Sequence, residues 1–105
     1  MTEKRKPTYD IGALKAAFSN VDKLSVTGAA LRSAAALGFD RTAIVSTIQS
    51  MKRGYFYKSM TAYANPQIWQ DVYHIPSPVG ELYVKFTADV HTEFLLLSFK
   101  EKDDD

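Results

Sequence analysis

The 105-residue chain contains no cysteine, so disulfide bonds, a thiol nucleophile and thiolate metal ligands are excluded. No apolar run approaches the roughly 18 residues of a membrane-spanning helix, and the charged segment 1–7 is unlike a secretory signal. A glycine-rich phosphate loop, paired histidines at metal-ligand spacing and a nucleophile elbow are also missing from the sequence. We therefore expect a protein of the cytoplasm, with no role in a membrane and no metal or other cofactor.

The composition is that of a soluble globular protein, with 46% apolar, 12% aromatic and 24% charged residues, which suits one domain over residues 1–105. The net charge of +1 conceals an asymmetry. Residues 1–58 contain 10 lysines and arginines against 4 acids, whereas residues 59–105 contain 3 against 8. We interpret residues 1–9 as an irregular basic arm and residues 103–105 as a frayed acidic tail. The basic half is compatible with a polyanion such as RNA, although ordinary surfaces share this charge.

Three short helices are predicted in the first half of the chain, each from a capping residue followed by apolar residues at helical spacing. Each helix should bury one apolar stripe. Gly38 is the expected stop of the second helix. The predicted N-caps and extents are Asp10 with a helix from Ile11 to Phe18, Thr27 with Gly28 to Leu37, and Asp40 with Arg41 to about Met51.

After Gly54, aromatic and β-branched residues alternate with proline and glycine, which is typical of a sheet. Alternation is clearest in the third strand, where Tyr83, Lys85 and Thr87 share the face opposite to Leu82, Val84 and Phe86. Short connections favour antiparallel pairing, so we predict an α+β fold with N-terminal helices packed on an antiparallel sheet. The predicted strands are Tyr55 to Tyr63, Ile68 to Ile75, Glu81 to Ala88 and Glu93 to Lys100.

A set of polar residues is distributed over these four strands: Lys58, Gln70, Tyr83 and Lys100. If the strands form a meander, the four side chains can converge on one sheet face. A metal-free ribonuclease must deprotonate a ribose 2′-OH, stabilise a dianionic phosphorane and protonate the departing 5′-oxygen, and Lys, Tyr and Gln can supply these functions. The alternative is that the tyrosine is an ordinary strand residue and the lysines are ordinary charges of edge strands.

Two histidines and two aromatic residues leave alternatives open. His74 and His91 could act as an acid and base pair in phosphodiester cleavage, but solvated or partly packed side chains are the commoner state. His74 is the better candidate because it lies on the same strand face as Gln70. Trp69 and Tyr73 could stack on bases, although their shared strand parity favours packing in the core.

Four segments in the second half of the chain form a recognisable pattern: FYKSMT at 56–61, IWQDVY at 68–73, Gly80 with Tyr83 and Lys85, and SFKEK at 98–102. Glu3-Lys4-Arg5 followed by a proline belongs to the same pattern. Together these segments closely resemble the MqsR family, the motility quorum-sensing regulator toxins of bacterial type II toxin–antitoxin systems, over nearly the whole chain. His74 follows the IWQDVY segment, where the family is expected to have an arginine.

The resemblance implies a RelE-like fold and a metal-independent mRNA endoribonuclease. Such an enzyme acts without a ribosome at short GC-containing sites such as GCU, leaving a 2′,3′-cyclic phosphate. By motif, the family's catalytic positions fall on Lys58, Gln70, Tyr83 and Lys100. Weaker expectations for RNA contact are Tyr57, His74, Lys85 and Lys102.

The resemblance also implies a partner, an antitoxin like MqsA with a zinc-bearing domain and a helix-turn-helix domain. The zinc would belong to that partner, and DNA would be contacted only through the toxin–antitoxin complex. The rival hypothesis is a non-catalytic module that binds RNA or the antitoxin without cutting. A transcription regulator acting alone is disfavoured because no predicted helix has a basic recognition face.

Overall fold

The computed structural model of the protein describes residues 2–104. A five-stranded antiparallel sheet of order β1-β2-β3-β4-β5 has the three helices packed on one face. The α+β prediction is therefore confirmed, with strand limits shifted by a few residues. The elements are β1 (Glu3–Lys4), α1 (Ile11–Ala17), α2 (Gly28–Ala36), α3 (Arg41–Gln49), β2 (Phe56–Thr61), β3 (Trp69–Ser77), β4 (Gly80–Asp89) and β5 (Glu93–Glu101).

All three predicted N-caps are confirmed. The side chains of Asp10, Thr27 and Asp40 each accept a hydrogen bond from the backbone N–H three residues ahead, at 2.8–3.1 Å. Helix α3 ends two residues before the predicted Met51, because Met51 donates its N–H to the carbonyl three residues back rather than four. Gly38, with φ of +88°, follows the end of α2 in the left-handed conformation that favours glycine.

The core lies between the helices and one face of the sheet. Side chains of α1, α2 and α3 meet alternate residues of β3, β4 and β5 in one continuous apolar cluster. The alternation predicted for the third strand is confirmed, since Leu82, Val84 and Phe86 are fully buried in this cluster. The opposite face of the sheet, which we call the open face, therefore receives Tyr83, Lys85 and their same-face neighbours.

The N-terminal arm is only partly irregular, so that prediction was wrong for Glu3–Lys4, while residues 5–9 contain neither helix nor strand. Residues Glu3–Lys4 form β1, which pairs with β2 in the register Glu3 with Met60 and Lys4 with Ser59. Beyond β1, the fully buried carboxylate of Asp71 accepts hydrogen bonds from the backbone N–H groups of Thr8 and Tyr9 at 2.8–3.1 Å. A buried carboxylate requires such donors, so it holds the arm on the sheet.

The acidic residues at the end of the chain were predicted to be frayed. Residues Lys102–Asp104 form a 3-10 turn rather than a frayed tail, while Asp105 of the predicted tail lies outside the described residues. Within residues 2–104, none of the helices has the length and apolar character needed to cross a membrane.

Candidate active site

The open face of the sheet contains an apolar patch surrounded by polar side chains. Val72 is fully buried and clusters with Met60 and Tyr83. Gln70 and His74 flank Val72 on the same face of β3, because side chains two residues apart share a face. Lys58 of β2 and Lys85 of β4 are its register partners on either side. The four polar residues therefore surround a dry patch centred on Val72.

Tyr83 lies at the middle of a row that crosses four strands. Its register partners are His74 on β3 and Lys100 on β5. The Lys100 ammonium is 5.1 Å from the centroid of the Tyr83 ring, and the His74 ring is 6.1 Å from it. Tyr57 of β2 completes the row by stacking on His74. We call Tyr57, His74, Tyr83 and Lys100 the central row.

A β-bulge in β2 places two successive side chains on the open face. The register passes from Phe56 opposite Tyr73 to Lys58 opposite Val72, so Tyr57 is the extra residue. Tyr57 consequently reaches His74, and the Lys58 ammonium lies 5.4 Å from the centroid of the Tyr57 ring. Without the bulge, strict alternation would send Tyr57 and Lys58 to opposite faces.

Lys58 forms an ion pair with Glu3 of β1. The Lys58 Nζ atom donates a hydrogen bond to Glu3 Oε2 at 2.6 Å, and the Lys58 side chain is only 18% exposed. This hydrogen bond, together with the charge of Lys58, lowers the pKa of Glu3 below its ordinary value. The edge of the open face therefore combines a sheltered ammonium group with a carboxylate that is ionised at neutral pH.

Arg5 follows β1 and adds a second cation to this edge. Its Nη1 atom donates a hydrogen bond to the Tyr57 carbonyl at 3.2 Å, and its guanidinium lies 5.3 Å from the Tyr57 ring. Sequence reasoning missed both Glu3 and Arg5 as site residues. A two-residue strand has no periodicity to detect, and the resemblance of Glu3-Lys4-Arg5 to a known family was the signal available.

The structure brings most of the predicted site residues together on the open face. Tyr83 and Lys100 are direct neighbours in the central row, and Lys58 lies beside its Tyr57 end. Gln70 shares the face but lies opposite Met60 and Thr87, on the far side of Val72 from His74.

The residues predicted for weaker RNA contact divide into two groups. Tyr57, His74 and Lys85 lie within the same set as the four main residues. Lys102 instead lies in the turn after β5, in a cleft also lined by Glu81, Glu101 and Asp103, where acidic neighbours offset its charge. Lys102 therefore lies apart from the lysines of the open face.

Two alternatives from the sequence have clear outcomes. His91 is exposed in the turn between β4 and β5, where its backbone N–H donates to the carboxylate of Asp89. This turn begins six residues beyond Tyr83, the register partner of His74, so the two histidines do not form a pair. Trp69 lies on the side of β3 that faces the core, as its position along the strand predicts. The prediction that it packs in the core was nevertheless wrong. It is only partly buried at the end of β3, where the Lys4 ammonium lies 4.2 Å from its ring centroid. This position is on the face opposite to the central row.

The family model described as "Motility quorum-sensing regulator, toxin of MqsA" matches residues 6–101. The chain belongs to the MqsR toxin family. A curated relative is the mRNA interferase toxin MqsR of Escherichia coli (strain K12), which is 38% identical over 100 residues, covering 95% of this chain and 99% of the relative. The resemblance drawn from the sequence motifs is thus confirmed. The family match includes the whole central row but begins after Glu3 and Arg5.

The chemistry of this MqsR-family surface follows from its residue types. Lys58, Lys85 and Lys100 provide positive charge along the sheet, which suits a phosphodiester backbone. Tyr83 as a residue is only 8% exposed, so its side chain would meet a bound substrate in a water-poor environment. Tyr57 is 40% exposed and offers a ring for stacking. Charge, proton donors and a stacking ring therefore occur together on one face.

Proposed function

We propose that the protein is an mRNA interferase toxin, a metal-independent endoribonuclease of single-stranded RNA. The observation that supports this most directly is the register of Tyr83 between His74 and Lys100 on the open face, beside Lys58. The name of the E. coli relative points to the same activity. In the reaction, the ribose 2′-oxygen attacks the adjacent phosphorus, and the bond to the 5′-oxygen breaks. The products are a 2′,3′-cyclic phosphate and a 5′-hydroxyl.

Each side chain has a role that fits its position. Lys58 and Lys100, at either side of the apolar patch, stabilise the extra negative charge of the phosphorane. Tyr83 donates or relays a proton toward the departing 5′-oxygen, with His74 as its neighbour in the row. Gln70 positions the phosphate or a flanking base through its amide.

RNA binding is assigned to the rest of the open face. Lys85, between Val72 and Ser98 in register, lies where a phosphate adjacent to the cleavage point would pass. Tyr57 contributes its partly exposed ring, beside the Arg5 guanidinium, to stacking on a base. By family resemblance, the fold is RelE-like and the enzyme acts in the cytoplasm without a ribosome, at short GC-containing sites such as GCU.

The proposed partner is a cognate antitoxin of the MqsA kind, with a zinc-bearing domain and a helix-turn-helix domain. The description of the family model as the toxin of MqsA supports this proposal. Any zinc belongs to the antitoxin, and DNA is bound only through the complex. Repression of the operon that encodes toxin and antitoxin therefore comes from the complex of the two proteins.

The test is cleavage of naked, end-labelled mRNA by purified protein in excess EDTA. Wild-type protein should cut at specific sites and leave cyclic phosphate ends, and Lys58→Ala and Lys100→Ala should each lose this cleavage. Lys52→Ala is the matched control, because Lys52 is exposed at the end of the helical half. RNA binding without cleavage by folded wild-type protein would contradict the enzyme proposal and favour the binding module.

A further inference from the structure

The carboxylate of Glu3 contacts the Lys58 ammonium at the edge of the open face. Its side chain is 45% exposed, so it is open to a substrate as well as bonded to Lys58. The second oxygen of the carboxylate and the remaining lone pairs are acceptors. Glu3 lies on the edge strand of the sheet, so its position at the site depends on β1 pairing with β2.

The four residues already assigned to the reaction include no ordinary base. Ammonium and phenol groups in water lose their protons only near pH ~10, and a glutamine amide does not titrate. A ribose 2′-OH must nevertheless give up its proton as it attacks phosphorus. Carboxylate and imidazole are the groups on this face that can accept a proton near neutral pH, and the imidazole of His74 lies inside the row next to the proton donor Tyr83.

The order of the strands separates Glu3 from Tyr83. In-line displacement puts the attacking 2′-oxygen and the departing 5′-oxygen on opposite sides of phosphorus, so base and acid must approach from opposite sides. Glu3 on β1 and Tyr83 on β4 are separated by three strand spacings of about 4.8 Å. They are also offset by about four residues along the strands, because the row of Glu3 passes through Gln70 and the row of Tyr83 passes through His74. Lys58 and Val72 belong to the row between these two, and we place the phosphate over them.

We propose that Glu3 is the general base of the cleavage reaction. This assignment rests on the proposed endoribonuclease function. The Glu3 carboxylate accepts the proton of the 2′-OH as the 2′-oxygen forms its bond to phosphorus. The bond from phosphorus to the 5′-oxygen then breaks, and that oxygen takes the phenol proton of Tyr83. After the products leave, Glu3 gives its proton to solvent and Tyr83 takes one back, so both groups return to their starting states.

The ion pair with Lys58 strengthens this assignment, because it links proton transfer to charge stabilisation. Before attack, the Glu3 carboxylate neutralises the Lys58 ammonium. When Glu3 takes the proton it becomes neutral, and the full positive charge of Lys58 faces a phosphorane that has just gained a negative charge. An interaction that is stronger in the transition state than in the ground state accelerates the chemical step.

The experiment compares Glu3→Gln, Glu3→Asp and wild-type protein on an end-labelled RNA between pH 6 and pH 8. Glu3→Gln keeps a hydrogen-bond acceptor for Lys58 but cannot take a proton, so kcat should fall about 10²- to 10⁴-fold. Its remaining rate should rise toward tenfold per pH unit, because hydroxide must replace the missing base. Glu3→Asp keeps a carboxylate and should recover part of kcat without that pH slope.

Two controls separate the possible outcomes. Binding of an RNA with a 2′-deoxy nucleotide at the cleavage site should be unchanged or tighter in Glu3→Gln. Glu93→Gln removes the same charge at the distant β4–β5 turn and should leave cleavage unchanged.

Full activity in Glu3→Gln overturns the assignment while the endoribonuclease function stands. A fall in kcat with the wild-type pH profile also overturns it, making Glu3 a positioning residue for Lys58. Absence of cleavage by wild-type protein overturns both proposals.

Discussion

Tyr57 lies flat against His74, with ring centroids 4.2 Å apart and an interplanar angle of 23°. The β2 bulge makes this contact, because it turns Tyr57 to the same face as Lys58. His74 is therefore fixed between two tyrosines in the central row. The contact joins the end of the row that we propose stacks on RNA to the end that we propose donates a proton.

Replacing Tyr57 with alanine should weaken cleavage through loss of this stack and of base stacking. We expect kcat/KM to fall about 5- to 30-fold, corresponding to about 1–2 kcal/mol of aromatic stacking. Tyr57→Phe retains the ring and is the matched control, with kcat/KM within about twofold of wild type. Cleavage kinetics on one short RNA measure both variants, and equal losses in the two would mean that the hydroxyl matters rather than the ring.

Lys85→Met should reduce the salt dependence of RNA binding. Lys85 lies at the centre of the open face, and removal of one phosphate contact lowers the slope of log K against log salt concentration by about 0.7 for a single strand. The methionine keeps most of the apolar stem of the side chain. Binding of a non-cleavable 2′-deoxy RNA between 50 and 200 mM salt measures this slope. An unchanged slope would place the phosphate path elsewhere.

Asp71→Ala should destabilise the protein and release the arm. The substitution leaves the partly buried N–H groups of Thr8 and Tyr9 without their acceptor, at a cost of about 2–4 kcal/mol in the free energy of unfolding. Urea unfolding measures this loss, with the exposed Asp103→Ala as the control. Cleavage should also fall, since Glu3 reaches Lys58 through the anchored arm. Wild-type stability in Asp71→Ala would show that the arm does not depend on this carboxylate.

Alkaline conditions should unfold the protein partly through Tyr73. Burial, followed by the charge of Asp71, raises the pKa of Tyr73 to about 12. The unfolded chain ionises this phenol near pH ~10, so the stability that the neutral phenol provides is present below pH 10 and lost as pH rises toward 12. Urea midpoints from pH 9 to 12 should therefore decline less steeply in Tyr73→Phe than in wild type. Parallel declines would assign the alkaline loss to other groups.

The features that sequence reasoning predicted are local ones. A capping side chain such as Asp40 bonds to a backbone group three residues away, and alternation in β4 depends on neighbouring residues alone. Tyr83 faces away from the core because alternation along β4 sets the face of each side chain, whereas its part in catalysis, with Lys58 and Lys100, stays a prediction. These features depend on short stretches of chain, so composition and spacing are enough to find them.

The features that were missed depend on distant partners. Glu3 bonds to Lys58 across 55 residues, and the arm is held by Asp71 across 63. The bulge at Tyr57 is defined only by the register with β3. Trp69 has core parity but lies beyond the end of the core, which alternation cannot reveal. Each of these requires the pairing of the sheet to be known first.

Strand β1 also determines what the protein presents to other protein molecules. Without it, β2 would be the sheet edge, and its free N–H and C=O groups could template the strand of a second molecule. With β1 paired, the backbone N–H of Thr61 donates to the Thr2 carbonyl at 2.8 Å. The new edge is only two residues long, contains Lys4 and is followed by Arg5. The arm that supplies Glu3 therefore also protects the sheet against aggregation.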